Sequence, residues 1–212
     1  QFWGAIFEPN LAMPITTCEL GRAYKDEIVE ACKDYPEFKP YVLAYFTDTI
    51  DPNELARGCE DGTFIGLKFY PRGATTNSDS GVTDVRTLYT RGARQYAAIK
   101  AVHAAGKVVQ LHCELNFDLY GNELDPYDKE RYFFAEIMPR LLDAHDGKFS
   151  CEHLTSEEGA NFMIENGKPG RLGCSITPHH LLYDRRDMFR GGLRPHFFCL
   201  PPIKRHKHRM GL

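Results

Sequence analysis

Three short runs carry residues that can do chemistry. Gly66-Leu67-Lys68-Phe69-Tyr70-Pro71, Gln110-Leu111-His112-Cys113-Glu114 and Cys151-Glu152-His153-Leu154 are apolar, strand-like stretches that end by presenting a lysine or a histidine. Histidine is the commonest zinc ligand in proteins. A lysine in that company is unusual unless its amine is carboxylated, because a bare ammonium repels a cation. The segments between the runs read as helices, and in a parallel barrel the C-terminal strand ends converge on one mouth. Lys68, His112 and His153 would then meet in space, as part of a two-metal hydrolytic site. A lone histidine at a strand end is more often a hydrogen-bonded structural residue. Two of them in consecutive units, after a strand-end lysine, shift the reading toward metal.

The elements that must position these residues follow from the period of the apolar pattern. Strands are expected at 5–7, 41–46, 64–70, 108–113, 148–152 and 172–177. Helices are expected from Thr16-Thr17 to Cys32, from Asp51-Pro52 to Asp61-Gly62, and over 85–105, 127–145 and 156–166. Thr at the start and Pro at the first helical position are good helix openers. Six strands, each followed by a crossover long enough to be helical, mean a parallel sheet with right-handed connections. The fold class expected is α/β, an incomplete TIM-type (β/α)₈ barrel of the metal-dependent hydrolase kind with about six units. A doubly wound open sheet is the competing architecture, but it usually carries a Gly-rich phosphate turn that is not visible here. All 212 residues are assigned to one barrel domain.

Composition excludes several classes. With 42% hydrophobic and 26% charged residues the chain reads as an ordinary globular protein. A net charge of -3 offers no field to gather nucleic acid or an anionic membrane. The basic run Lys204-Arg205-His206-Lys207-His208-Arg209 is expected to be a solvated helix start or tail. Seven cysteines at irregular spacing, with no Cys-x-x-Cys, point to reduced thiols and a cytoplasmic setting. Cys113 should face the outer helices if His112 faces the mouth. No run of apolar residues is long enough for a transmembrane helix, and no secretory signal is visible. The abrupt opening at Gln1 leads to the expectation that an N-terminal portion precedes it. His103, His145, His206 and His208 read as surface residues. His179, His180 and His196 read as structural groups or as residues that orient others.

Several motifs, in order, resemble a known family. They are Phe7-Glu8-Pro9-Asn10-Leu11 with Pro14-x-Thr16-Thr17, Leu67-Lys68-x-Tyr70-Pro71 with Ala74-Thr75-Thr76-Asn77-Ser78, and Cys151-Glu152-His153-Leu154-Thr155. Ile176-Thr177-Pro178-x-His180-Leu181 and Gly192-x-Arg194-Pro195-His196 with Cys199-Leu200-Pro201 complete the set. Together they resemble dihydroorotase, most closely the homodimeric bacterial type within the amidohydrolase superfamily, from about Ile6 to Arg205. The resemblance implies reversible ring closure of N-carbamoyl-aspartate to dihydroorotate in pyrimidine synthesis. It implies a catalytic, N-carboxylated Lys68 bridging two zinc ions, with His112 and His153 as ligands of the second zinc. It also implies substrate binding by Asn10 through the substrate carboxylate, by Thr75 and Thr76 on a loop that closes over substrate, and by Leu200 through its backbone.

The departures from the family pattern are at the ends. The family's first strand carries His-x-His-x-Arg and its eighth an Asp that binds the first zinc and shuttles the proton; the sequence begins after the one and stops before the other. At most one zinc is then well held by these residues, and the chain alone is expected to be inactive. The competing readings are an inactive dihydroorotase-like scaffold or subunit, and another amidohydrolase acting on a different cyclic amide or imide. Expected partners are a small-molecule substrate, and either a second copy in a homodimer or a polypeptide supplying the missing strands; no nucleic acid or membrane is expected.

Overall fold

A computed structural model describes residues 2–212. Strands β1 (Gly4–Phe7), β2 (Lys39–Tyr45), β3 (Gly66–Phe69), β4 (Val108–His112), β5 (Lys148–Glu152) and β6 (Leu172–Cys174) form one sheet. They pair in sequence order and every pairing is parallel. A doubly wound sheet reverses its strand order at a switch point. No reversal occurs here, so the sheet is the wall of an incomplete TIM-type barrel and the open-sheet alternative is excluded.

The helices are α1 (Cys18–Ala31), α2 (Pro52–Glu60), α3 (Arg94–Ala104), α4 (Lys129–Tyr132), α5 (Met138–Ala144), α6 (Glu157–Asn166), α7 (Pro178–Leu182) and α8 (His206–Gly211). Local chemistry explains their starts. The Thr17 hydroxyl accepts from the Leu20 N–H at 3.2 Å, and the Asp51 carboxylate accepts from Asn53 N–H at 2.9 Å with Pro52 in the first turn. Ser156 does the same for α6, accepting from Gly159 N–H at 3.0 Å.

Alternation along the strands separates two faces, since successive side chains point to opposite sides. Val42, Ala44, Phe46, Leu67, Phe69, Val109, Leu111, Cys113, Phe149 and Cys151 join the apolar core with the helices. Cys113 thus lies on the helix side, as the strand period requires. The residues between them are largely polar: Lys68, Gln110, His112, Ser150 and Glu152. A polar inner face is what a barrel mouth needs. Phe64 fills the wedge between α1 and α2, and it fits only because Gly21 and Gly58 face it; a Cβ on either would meet its ring at 2.5 Å. Gly66 is equally constrained, since a Cβ there would come 2.2 Å from the Val108 carbonyl oxygen and push β3 off β4.

Several expectations need correction. The helix over 85–105 is two pieces, a 3₁₀ turn at Val85–Leu88 and α3, because the chain between them turns through Gly92 at φ +90°. The helix over 127–145 is broken by a π-helical segment at Phe133–Ile137, which ends as Pro139, lacking an N–H, enters the next turn. The last strand stops at Cys174 rather than 177, because Pro178 opens α7. Two histidines expected at the surface are buried: His145, whose Nε2 meets the Leu88 carbonyl at 2.8 Å, and His208, whose Nδ1 accepts from Glu157 N–H at 3.2 Å. The basic run is not wholly solvated either, because Lys204 is buried. All seven cysteines are unpaired, and no helix among the described residues is long and apolar enough to cross a membrane.

Burial of histidines has a consequence in acid. His103 packs edge-on against Phe149 at 5.0 Å between ring centroids, and burial pushes its pKa down to about 4. The unfolded chain binds this proton near pH 6.5 and the folded chain refuses it until about pH 4. The stability it contributes is therefore complete above pH 6.5 and is lost as pH falls through that window. We expect the urea midpoint to drop between pH 7 and pH 5, and His103→Gln, which keeps a donor for the Lys148 carbonyl, to flatten that drop by about 1 kcal/mol after allowance for partial exposure. Parallel pH slopes for the two proteins would contradict this.

Candidate active site

The C-terminal ends of β3, β4 and β5 bring Lys68, His112 and His153 into one group. The Lys68 side chain is 2% exposed, and its Nζ lies 3.4 Å from Glu8 Oε2 and 5.4 Å from the centre of the Tyr70 ring. The Tyr70 ring in turn sits 6.1 Å from that of His112, and the His112 and His153 rings are 4.9 Å apart. His112 Nε2 donates to Glu114 Oε2 at 2.9 Å, since an ionised carboxylate can only accept there; in a neutral ring this makes Nδ1 the lone pair. His153 Nδ1 is buried with no hydrogen-bond partner. Burial, then the proximity of His112 and Lys68, pushes the His153 pKa down to about 2, so the ring is a neutral imidazole at ordinary pH.

His153 is also held in an uncommon backbone state, φ +45°, which costs a non-glycine residue about 1–3 kcal/mol and is seen mostly where function fixes it. Its N–H donates to Ser175 Oγ at 2.9 Å, and Ser175 donates to Glu152 Oε2 at 2.6 Å. The sheet thus clamps the turn that carries the ring. Neutral imidazole and an unpartnered buried nitrogen are the state in which histidine ligates a metal. His153 fits a metal ligand on that ground, with the His112 ring 4.9 Å from its own and Lys68 close by.

Asn10, Thr75 and Thr76, expected to bind substrate, come together on the neighbouring strand ends. Asn10 Nδ2 donates to the Thr76 carbonyl at 2.9 Å, and Asn77 Nδ2 donates back to the Asn10 carbonyl at 3.0 Å. The loop's own turn is closed by the buried Ser78, whose hydroxyl accepts from Thr75 N–H and donates to the Thr75 carbonyl. The Tyr70 hydroxyl joins this group to the lysine, lying 2.8 Å from Glu8 Oε2 and 2.9 Å from Asn10 Oδ1. Burial, reinforced by Glu8, drives its pKa far up, so the phenol keeps its proton and can donate to Glu8 and Asn10. Leu200 is exposed and makes no hydrogen bond to that group. It is linked to the site from the other side, because the Pro201 carbonyl accepts from His180 Nε2 at 3.1 Å and Lys204 faces Glu114.

A second set, His179, His180 and Cys199, places three donor atoms within 4.8 Å of one another. Both ring nitrogens of His180 are already engaged, by the Thr177 hydroxyl and the Pro201 carbonyl. This set therefore reads as an anchor for the 199–204 segment. Sequence reasoning gave no role to Glu8, Glu114, Glu130 or Lys204. Glu114 was findable, since two residues beyond His112 on a strand is the same face; the others are joined only by the fold.

No protein-family model matches the chain. It is 39% identical over 213 aligned positions to the dihydroorotase of Cupriavidus taiwanensis, covering 100% of this chain and 58% of that protein. The same enzyme of Cronobacter sakazakii is 37% identical over 209 positions, covering 98% of this chain and 56% of the relative. The chain resembles dihydroorotase. It spans somewhat more than half the length of the curated relatives it matches. Among solved structures, dihydroorotase from Saccharomyces cerevisiae in complex with 5-fluoroorotic acid superposes with a TM-score of 0.83 at 26% identity, over 99% of this chain and 57% of that one. Campylobacter jejuni dihydroorotase gives 0.80 at 28% identity, over 99% and 56%. L-hydantoinase from Arthrobacter aurescens, at 14% identity and a TM-score of 0.75, shares the fold.

Proposed function

We propose that this chain forms most of the active-site barrel of a zinc-dependent dihydroorotase, interconverting N-carbamoyl-aspartate and dihydroorotate in pyrimidine biosynthesis. The observation that carries the reading is the convergence of buried Lys68 and His112 with half-buried His153 on one mouth, His153 being neutral with a buried, unpartnered Nδ1. Dihydroorotases named among the relatives and the structural neighbours support the reaction class. They lend no support to the inactive-scaffold alternative.

Lys68 as carbamate, His112 and His153 would hold zinc. When bound, zinc supplies hydroxide near neutral pH and polarises the amide carbonyl. The chain's own residues do the rest. Glu114 fixes the His112 tautomer. Tyr70 and Asn10 form a neutral hydrogen-bonded wall beside Lys68, and the Asn10 amide, with Thr75 and Thr76 next to it, supplies donors for a substrate carboxylate. The helix side of the sheet is packed with apolar residues, which separates the polar inner face from solvent on that side. A family-type first strand and catalytic Asp have no counterpart in these 212 residues, and the proton relay is assigned to neither Glu8 nor Glu114.

Bicarbonate tests the lysine. Zinc affinity of the chain should rise when bicarbonate is added, and ¹³C-bicarbonate should give a carbamate signal; Lys68→Ala should show neither effect. A response to bicarbonate that survives Lys68→Ala would overturn this assignment.

A further inference from the structure

Behind His112, away from Lys68, lies a line of buried polar groups that the proposed reaction does not use. Lys204 stands in the basic run near the end of the chain, yet its side chain is 1% exposed. Its ammonium donates to Thr155 Oγ1 and lies 3.9 Å from both Glu114 Oε1 and Glu130 Oε2. Glu114 and Glu130 are as deeply buried as Lys204. Glu114 divides its two oxygens: Oε2 accepts from His112 Nε2, while Oε1 has no hydrogen bond and faces only the lysine charge. Burying an ammonium costs several kcal/mol unless it is well paired, and apolar residues of the same size usually serve stability as well or better. A lysine placed here needs a reason beyond packing.

We propose that Lys204 is a positioning residue for His112, acting through Glu114. The Lys204 charge, 3.9 Å from Oε1, favours the carboxylate orientation in which Oε2 faces Nε2. His112 is then kept as the Nε2–H tautomer, with Nδ1 as the lone pair for a metal. Outer partners of this kind fix the tautomer and ring orientation of metal-binding histidines. Lys204 also ends the segment that carries Leu200, so the same ammonium ties that segment to the histidine. The inference rests on the metal reading above, but the tautomer is measurable without metal.

The test uses the 212-residue chain, ¹⁵N-imidazole spectra without metal, and zinc competition against a chelator. Lys204→Met and Lys204→Gln should populate the Nδ1–H tautomer of His112 and lower zinc affinity by ~10–100-fold. Lys204→Arg should restore both toward the parent. Lys207→Met, at an exposed lysine paired with Glu157, should change neither. Folded neutral variants that keep the parent tautomer and zinc affinity overturn the inference. So does loss of fold in both neutral variants and in Lys204→Arg, because the ammonium would then serve the fold alone. A parent chain that binds no zinc, but whose tautomer shifts in the neutral variants, supports the inference and counts against the proposed function instead.

Discussion

Replacing His112 or His153 with alanine is expected to end tight zinc binding by the chain. Each change leaves two of three protein donors, and a catalytic-type zinc site needs three. The loss should exceed the ~10–100-fold typical when only an outer partner of a metal ligand is removed. His179→Ala and His206→Ala should keep the zinc. His206 is exposed, and His179 belongs to the anchor of the 199–204 segment. Zinc per chain, measured after dialysis for all four variants, decides the matter. Equal zinc in all of them would sink the assignment of Lys68, His112 and His153.

Glu130→Ala is expected to destabilise the fold by about 3–5 kcal/mol, the usual cost of stripping one partner from a buried ionic group. Glu130 accepts from the N–H and hydroxyl of both Thr155 and Ser156, which are the residues that open α6. It therefore satisfies donors at a helix start, places a negative charge at the positive end of the helix, and faces Lys204. Removing it orphans all of these together, just beyond the turn that carries His153. Glu130→Gln should cost less, because an amide oxygen still accepts. Urea denaturation of the three proteins gives the comparison, and a loss below about 1 kcal/mol for Glu130→Ala would contradict this account.

The strand–helix alternation was legible because each unit carries its own period and its own caps. Thr17, Asp51 and Ser156 announce α1, α2 and α6 before any tertiary contact exists. The break at Gly92 was not legible, since nothing local distinguishes a left-handed turn there from a glycine tolerated within a helix. That Lys68, His112 and His153 lie together could be read from their place at strand ends; Asn10, Thr75 and Thr76 were singled out by the resemblance and also lie together. Lys204 could not. The residues that follow it, Arg205 to Lys207, are exposed and basic, and what pairs it are two glutamates from β4's exit and α4. His145 and His208 failed for the same reason: their partners, Leu88 and Glu157, are brought to them only by the packing of other units.

Anomalous scattering at the zinc edge, from crystals of the chain grown with zinc and bicarbonate, tests the central claim most directly. The account predicts one strong peak between Lys68, His112 and His153, about 2 Å from a nitrogen of each imidazole, with density extending from the Lys68 amine. A peak at His179, His180 and Cys199 instead, or no peak near His112 and His153, would contradict it.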